Sequence, residues 1–426
     1  TMRSIFLFLL NLCFVFSVLF IWVMLLYQFF LTLGGFLWRQ KCRKEERELE
    51  KREIELPGVS ILIPARNEEL VIDQTIRRML EFDYPSDRME VIVINDGSTD
   101  RTGEIISSWA SKDKRIRLFD IPKEESGQGK SAALNKALKV TRFEAVAIFD
   151  ADNIPERDSL KRLCRSLVAD PKLAAVTGKF RAYNRNQTLL TRLVNLESIV
   201  FQWTVQAGRW YFLKISALPG TNFVIWKRVV ERLGGWDQQA LTEDTELTFR
   251  IYEHPGLYIK FLPTAVTWEQ EPERLKVWVR QRTRWARGNL YIISKYARRI
   301  FQRKPRSTAI ELINLLYLYY LFIFAILFSD LAFVLSLFGL VHIRVIGPYF
   351  ELWILAVCLY VLEVMLALSF EREDSFSNLF VAVIAYLTYT KLWVFIVLRS
   401  FWFEYIRKES RAWDKTQRVE VGPRTN

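Results

Sequence analysis

Paired carboxylates are the first chemistry visible in this chain of 426 residues. Asp150-Ala151-Asp152 follows the apolar run Ala145–Phe149, and Thr242-Glu243-Asp244 follows Gly234-Gly235-Trp236-Asp237. Two carboxylates at a strand end suit Mn²⁺ or Mg²⁺, with phosphate oxygens completing the shell. Such an ion neutralises charge on a departing diphosphate. On its own a DxD is usually a solvated turn; the buried strand ahead of this one gives it weight. In Thr242-Glu243-Asp244 an aspartate can take a proton from an attacking hydroxyl. The tripeptide also reads as a helix start, with Thr242 as cap and the two acids favouring the dipole. Farther on, Gln281, Arg284 and Trp285 fall at i, i+3 and i+4, which is one face of a helix. The guanidinium can clamp a diphosphate, and the indole offers a flat platform for a sugar ring. The plainer reading of that stretch is a membrane-surface helix. Arg274 to Arg306 holds twelve basic residues and no acidic one, a pattern that suits anionic lipid. Trp278 and Trp285 then serve as interfacial anchors, and Arg298, Arg299, Arg303, Lys304 and Arg306 fit this reading better than chemistry.

These residues need elements to hold them. Val59–Pro64, Met89–Ile94, Ile116–Phe119 and Ala145–Phe149 are short apolar runs, and helical patterns cover Asn67–Leu80, Asp100–Ala110 and Lys130–Lys139. Strand–helix alternation at this spacing predicts a mostly parallel sheet with helices on both faces. Ligands of such sheets bind beyond the carboxyl ends of the strands. That edge carries Pro64-Ala65-Arg66-Asn67-Glu68, Asn95-Asp96-Gly97 and Asp150-Ala151-Asp152. Gly127-Gln128-Gly129 lacks a third glycine and comes too late for a dinucleotide fingerprint. Leu189–Leu213 reads as an amphipathic helix, either along the membrane surface beneath the catalytic domain or, more plainly, packed against it.

Composition sets the location. With 60 Lys+Arg against 47 Asp+Glu the net charge is +13, yet Ser4–Trp38 has no charged residue. That length exceeds the roughly 20 residues a spanning helix needs, and no small-residue cleavage site closes it. Trp38, Arg39, Lys41, Arg43 and Lys44 anchor its cytoplasmic end, and residues 39–56 form a charged linker, read as solvated helix. Leu312–Leu340, Leu352–Phe370 and Ser377–Leu398 predict three more membrane segments. Three full spans conflict with a cytoplasmic basic tail, so one is interfacial or re-entrant, or the longest hides a hairpin. Asp330 and Glu363 either line a polar conduit or snorkel to the headgroups, while Lys391 leans towards the conduit. Four scattered cysteines and two histidines exclude a disulfide framework and a His-based metal site or triad. Disorder, collagen-like repeats and a fully soluble enzyme are excluded, and attachment to membrane helices argues against nucleic-acid binding.

An Asp loop, a DxD, a TED and a QxxRW stand here in order as Asn95-Asp96-Gly97, Asp150-Ala151-Asp152, Thr242-Glu243-Asp244 and Gln281…Arg284-Trp285. In this the chain resembles the membrane-embedded family 2 glycosyltransferases, including cellulose, hyaluronan and poly-N-acetylglucosamine synthases. The resemblance covers Val59 to about Asn289, and Trp413-Asp414-Lys415-Thr416 is similar to the family's C-terminal ends. It implies an α/β GT-A domain over 57–270, interface helices over 271–308, membrane helices over 309–405 and a cytoplasmic tail over 406–426. It also implies inverting, processive transfer from a UDP-sugar, UDP-GlcNAc or UDP-glucose, with the growing polysaccharide leaving through the membrane. Accessory export proteins are expected partners. By family pattern Ala65, Glu68, Asp96, Lys130, Asp150, Asp152 and Arg284 bind the nucleotide sugar, with Asp150 and Asp152 holding Mn²⁺ or Mg²⁺. Asp244 is the base beside Glu243, and Gln281, Trp285, Gly220 and Thr221 contact the acceptor. With no further domain after Lys408, a built-in cyclic-dinucleotide sensor is not expected. Two alternatives remain: transfer of one or a few sugars to a membrane lipid, and an inert transport or scaffold protein.

Overall fold

The computed structural model describes residues 2–297, 306–340 and 347–409. Arg298, Arg299, Arg303, Lys304, His342 and Trp413–Thr416 lie outside the described residues.

A single helix α1 (Met2–Glu50) leads into β1 (Val59–Ala65), α2 (Ile72–Leu80), β2 (Met89–Asn95), α3 (Thr102–Lys112) and β3 (Ile116–Asp120). Then come α4 (Lys130–Leu138), β4 (Ala145–Ile148), β5 (Ile154–Pro155), α5 (Ser159–Ala169) and β6 (Leu173–Ala182). The strands are apolar on both faces because helices cover both sides of the sheet, as parallel sheets require. The sheet order is β3-β2-β1-β4-β7-β6-β8-β5, where β7 is Phe223–Trp226 and β8 is Tyr258–Glu269. Pairings β3–β2, β2–β1 and β1–β4 are parallel, and β7 runs antiparallel to both neighbours. Chain direction from β1 reverses between β2 and β4, so the crevice at their carboxyl ends is a topological switch point.

The expected helix at Asn67 starts later, at Ile72. Asn67 has φ 53°, and its amide side chain accepts the Thr99 backbone N–H at 2.7 Å. An asparagine whose side chain satisfies a neighbouring loop favours the left-handed turn over a helix interior. The stretch after β1 is therefore a loop pinned to the β2–α3 loop.

Between β6 and β7, α6 (Leu189–Val200), a π-helical stretch (Phe201–Gly208) and α7 (Arg209–Leu213) form one rod. It crosses α1 closely. A Cβ on Gly35 would run into the Trp203 carbonyl oxygen, and one on Gly208 into that of Leu31. Trp38 is only 1% exposed, and its indole N–H donates to the Phe261 carbonyl at 3.0 Å. Cys42 is buried, Glu45 pairs with Lys260 at 3.2 Å and Glu46 with Arg162 at 3.1 Å. Trp38 is thus a core residue rather than a headgroup anchor. The charged segment after it is not freely solvated; one face docks on β8 and α5.

After β7 come α8 (Lys227–Arg232), α9 (Glu243–Tyr252) and, beyond β8, α10 (Leu275–Tyr296). The apolar C-terminal region comprises α11 (Arg306–Leu316), α12 (Phe322–Leu337), α13 (Tyr349–Phe370), α14 (Phe376–Ile384) and α15 (Thr390–Phe401). Among the described residues three helices are long and apolar enough to cross a membrane: Ile5–Glu50, Tyr349–Phe370 and Phe376–Ile406. They mark the chain as a membrane protein. The expected span Leu312–Leu340 is largely covered by an apolar helical stretch in which α11 and α12 run on through a π-helical turn, Tyr317–Leu321.

Phe376–Ile406 meets the catalytic-domain helices along its length. Arg192 of α6 donates to Ser377 and Asn378 at 2.8 and 2.7 Å, Ser400 donates to the Thr283 carbonyl at 3.3 Å, and Glu404 accepts from Arg287 at 3.3 Å. Trp278, read from sequence as an interfacial anchor, is fully buried and donates to Tyr389 at 2.9 Å. Arg282 and Arg287 are buried as well, so part of the basic character of α10 faces protein rather than lipid. Within the apolar region Lys391 pairs with Asp330 at 2.7 Å, and Glu363 is buried. Neither reading made for these three from sequence anticipates that two of them meet each other.

Candidate active site

The polar loops at the carboxyl edge of the sheet interlock. The Asp96 backbone N–H donates to the Ala65 carbonyl at 2.9 Å, joining the ends of β1 and β2. Buried Asp96 in turn accepts the Gly127 N–H at 2.9 Å. The Glu68 N–H donates to Thr102 at 2.7 Å. Gly97, at φ 65°, lets the loop pass against Ser126 where a side chain would collide.

Lys130 opens α4 and reaches back under the crevice. Its ammonium donates to Asp150 at 2.7 Å and to the Gly220 carbonyl at 2.8 Å, and lies 3.5 Å from Glu243. Burial works to lower the Lys130 pKa, but Asp150 and Glu243 outweigh it and hold the amine above its ordinary value. The Asp150 backbone N–H donates to both Thr221 and Asn153 at 3.1 Å, and Thr221 donates to Asn153. Asp152 is 4% exposed and accepts the Gln270 N–H at 3.4 Å. The two carboxylates of the DxD therefore have different partners.

Glu243 and Asp244 sit in the first turn of α9 with Glu246. Thr242 precedes them, but its side chain makes no capping bond and its buried hydroxyl has no partner. The dipole still favours the three acids there. Gly220 faces this turn: a Cβ on it would lie 3.1 Å from Asp244 Oδ2 and 3.8 Å from Lys130 Nζ. Burial, then the charge of Glu243, pushes the Asp244 carboxyl up to about 7, against the Thr245 N–H, Lys130 and Arg284. A carboxylate near neutrality in a crevice can exchange a proton at working pH.

Lys130, Asp150, Gly220, Glu243 and Asp244 thus meet, with the charge of Arg284 acting on Asp244. Thr221 joins through Asp150, whereas Ala65, Glu68 and Asp96 form a neighbouring patch at β1 and β2. Gln281 and Trp285 share α10 with Arg284, but both contact Arg282. Sequence reasoning missed Asn153 and Gln270, which orient the DxD, although Asn153 directly follows it. It also passed over Arg282, inside the motif it had singled out.

Residues 57–288 match the family model described as Glycosyltransferase like family 2. The chain belongs to that family. It is 44% identical over 412 residues to the probable glycosyltransferase YdaM of Bacillus subtilis (strain 168), covering 96% of this chain and 98% of that one. It is 31% identical over 234 residues to the poly-beta-1,6-N-acetyl-D-glucosamine synthase of Staphylococcus aureus (strain COL), spanning 55% of each. Among solved structures it resembles the mannosyltransferase PcManGT from Pyrobaculum calidifontis, solved with GDP-Man and Mn²⁺. The TM-score there is 0.54 at 22% identity, over 85% of this chain and 99% of that one. That likeness is one of fold, and the fold is GT-A. This chain is a glycosyltransferase built on a GT-A sheet with membrane helices around it.

Proposed function

We propose that this enzyme is an inverting, processive β-glycosyltransferase that polymerises UDP-GlcNAc or UDP-glucose into a polysaccharide exported along its own membrane helices. The observation that carries the reading is the meeting of Lys130, Asp150, Gly220 and Asp244 at the switch-point crevice, beside the helix bearing Gln281, Arg284 and Trp285. The name of the S. aureus relative, a polysaccharide synthase, supports a polymer as product.

In this reading Ala65, Glu68 and Asp96 form the nucleotide side, and Lys130 and Arg284 face the diphosphate. Gly220, Thr221, Gln281 and Trp285 hold the acceptor sugar. The acceptor hydroxyl attacks the anomeric carbon as its bond to the diphosphate oxygen breaks, and UDP leaves. Asp244 takes the hydroxyl proton, and Glu243 raises its basicity through like charge. Attack opposite the leaving group inverts the anomeric centre.

Asp150 and Asp152 are oxygen donors of the kind a hard divalent cation takes. Among the described residues no three His, Cys, Asp or Glu side chains group as a metal site. Mn²⁺ or Mg²⁺ would be held by these two aspartates together with donor phosphate oxygens, Asp150 then giving up its bond to Lys130. When bound, it supplies neutralisation of the charge left on UDP.

The test is UDP release by the purified full chain with Mn²⁺ across a panel of UDP-sugars, with sizing and glycosidase digestion of the product. Long polymer supports the proposal, and short glycolipids in its place reject processivity. Asp244→Asn should abolish polymer, a loss of about 10²-fold or more for a missing base, while UDP still binds by calorimetry. Normal yield from that variant rejects the base assignment.

A further inference from the structure

One carboxylate ties three helices together beside the candidate site. Glu197 of α6 accepts Arg282 Nη2 from α10 at 2.8 Å. It also accepts the Tyr389 hydroxyl at 2.7 Å and the Trp393 indole N–H at 2.6 Å, both from Phe376–Ile406. Arg282 is 2% exposed. Its guanidinium carbon lies 4.0 Å from the centroid of the Trp285 ring, and its Nη1 donates to Gln281 at 3.0 Å. A single buried cation thus touches both outer members of the QxxRW motif.

The arrangement suits orientation. A guanidinium over an indole face fixes ring tilt as well as distance, because the attraction follows the ring quadrupole. Its planar fork can hold Glu197 and Gln281 at the same time, which the point charge of a lysine cannot reproduce. A buried arginine keeps its charge and so needs a partner to offset its desolvation, and Glu197 supplies that partner from a different element.

We propose that Arg282, clamped by Glu197, is a positioning residue for the acceptor platform. It sets the tilt of Trp285 and the rotamer of Gln281, and through Tyr389 and Trp393 links both to the membrane-side helix Phe376–Ile406. This rests on the acceptor reading of Trp285 given above.

The test uses the full chain in lipid nanodiscs and compares two reactions. One is donor hydrolysis, transfer of the sugar to water; the other is transfer to an N-acetylglucosamine oligosaccharide at varied concentration. Arg282→Met should raise the acceptor KM about tenfold or more, as misplaced contacts do, and leave donor KM and hydrolysis unchanged. Arg282→Lys, which keeps the charge and the fold, should raise acceptor KM by a smaller factor. An acceptor KM unchanged in Arg282→Lys and in any folded Arg282→Met overturns the proposal. So does a parallel fall in hydrolysis and transfer at constant KM, the mark of a merely structural role. Trp285→Ala separates the two layers. Unchanged acceptor KM in that variant rejects the platform itself, whereas a raised KM there with normal Arg282 variants rejects only the positioning role.

Discussion

Lys130 is the residue on which the candidate site turns. It is the counter-charge that lets Asp150 and Glu243 stand together in a buried crevice. Removing one partner of a buried ionic group leaves uncompensated charge, at a cost of about 3–5 kcal/mol. Lys130→Met should lower thermal stability by that order and weaken UDP binding, which scanning fluorimetry and calorimetry would read. The sign of the pH dependence follows from Asp244, whose pKa is pushed up to about 7 by burial and Glu243. A base works when deprotonated, so transfer should climb as pH rises towards neutrality and level off above it. Because Lys130 lowers the Asp244 pKa, the rise in Lys130→Met should come at higher pH than in the wild type. A pH-independent rate between pH 5 and 8, where groups near neutrality titrate, contradicts the assignment. Gly220 has φ 83°, and a Cβ there would press on Asp244 at 3.1 Å. Gly220→Ala should therefore cost about 1–2 kcal/mol of backbone strain and slow transfer more than it weakens UDP binding.

Elements decide how much of this was legible beforehand. The strands were readable because β1, β2 and β4 are apolar on both faces and end in polar loops, a pattern fixed by local composition alone. The order of motifs along those loops pointed to the crevice for the same reason. Thr242 misled because capping depends on side-chain orientation as well as residue type. Trp278 and Trp38 looked like interfacial anchors since a tryptophan at a membrane boundary has the same sequence signature as one in a core. Only the partner distinguishes them, Tyr389 in one case and the Phe261 carbonyl in the other. Arg282 and Glu197 lie 85 positions apart, and no periodicity encodes such a pair. Gly35 in α1 serves close helix approach, which no local pattern encodes. Gly35→Leu should drive α1 away from the Phe201–Gly208 stretch and lower the melting temperature in detergent.

At the scale of the whole molecule the contacts of the helix Phe376–Ile406 bear on its topology. Both ends bond to helices of the catalytic domain, Arg192 at one and Arg287 at the other. Its outward face, with Phe376, Phe380, Leu387, Phe395, Leu398 and Trp402, is apolar and exposed. Such a helix is suited to lie against the bilayer surface with both ends on one side, and this relieves the charge conflict that three full spans create. In a cysteine-depleted background, Phe376→Cys and Ile406→Cys should label with an impermeant maleimide from the same side of sealed vesicles; labelling from opposite sides rejects this topology. The long first helix has a different consequence. It continues without interruption past Trp38 to Glu50, about 18 Å beyond that tryptophan at 1.5 Å per residue. It behaves as a strut. With Trp38, Glu45 and Glu46 docked on β8 and α5, it fixes the distance between the catalytic sheet and the apolar part of the helix. Inserting one residue between Trp38 and Cys42 turns everything beyond by about 100° and should disconnect the strut. Inserting seven restores the facing side but displaces it by about 10 Å, too far for Trp38 and Glu45 to hold Phe261 and Lys260 at once, so both insertions should lower the melting temperature.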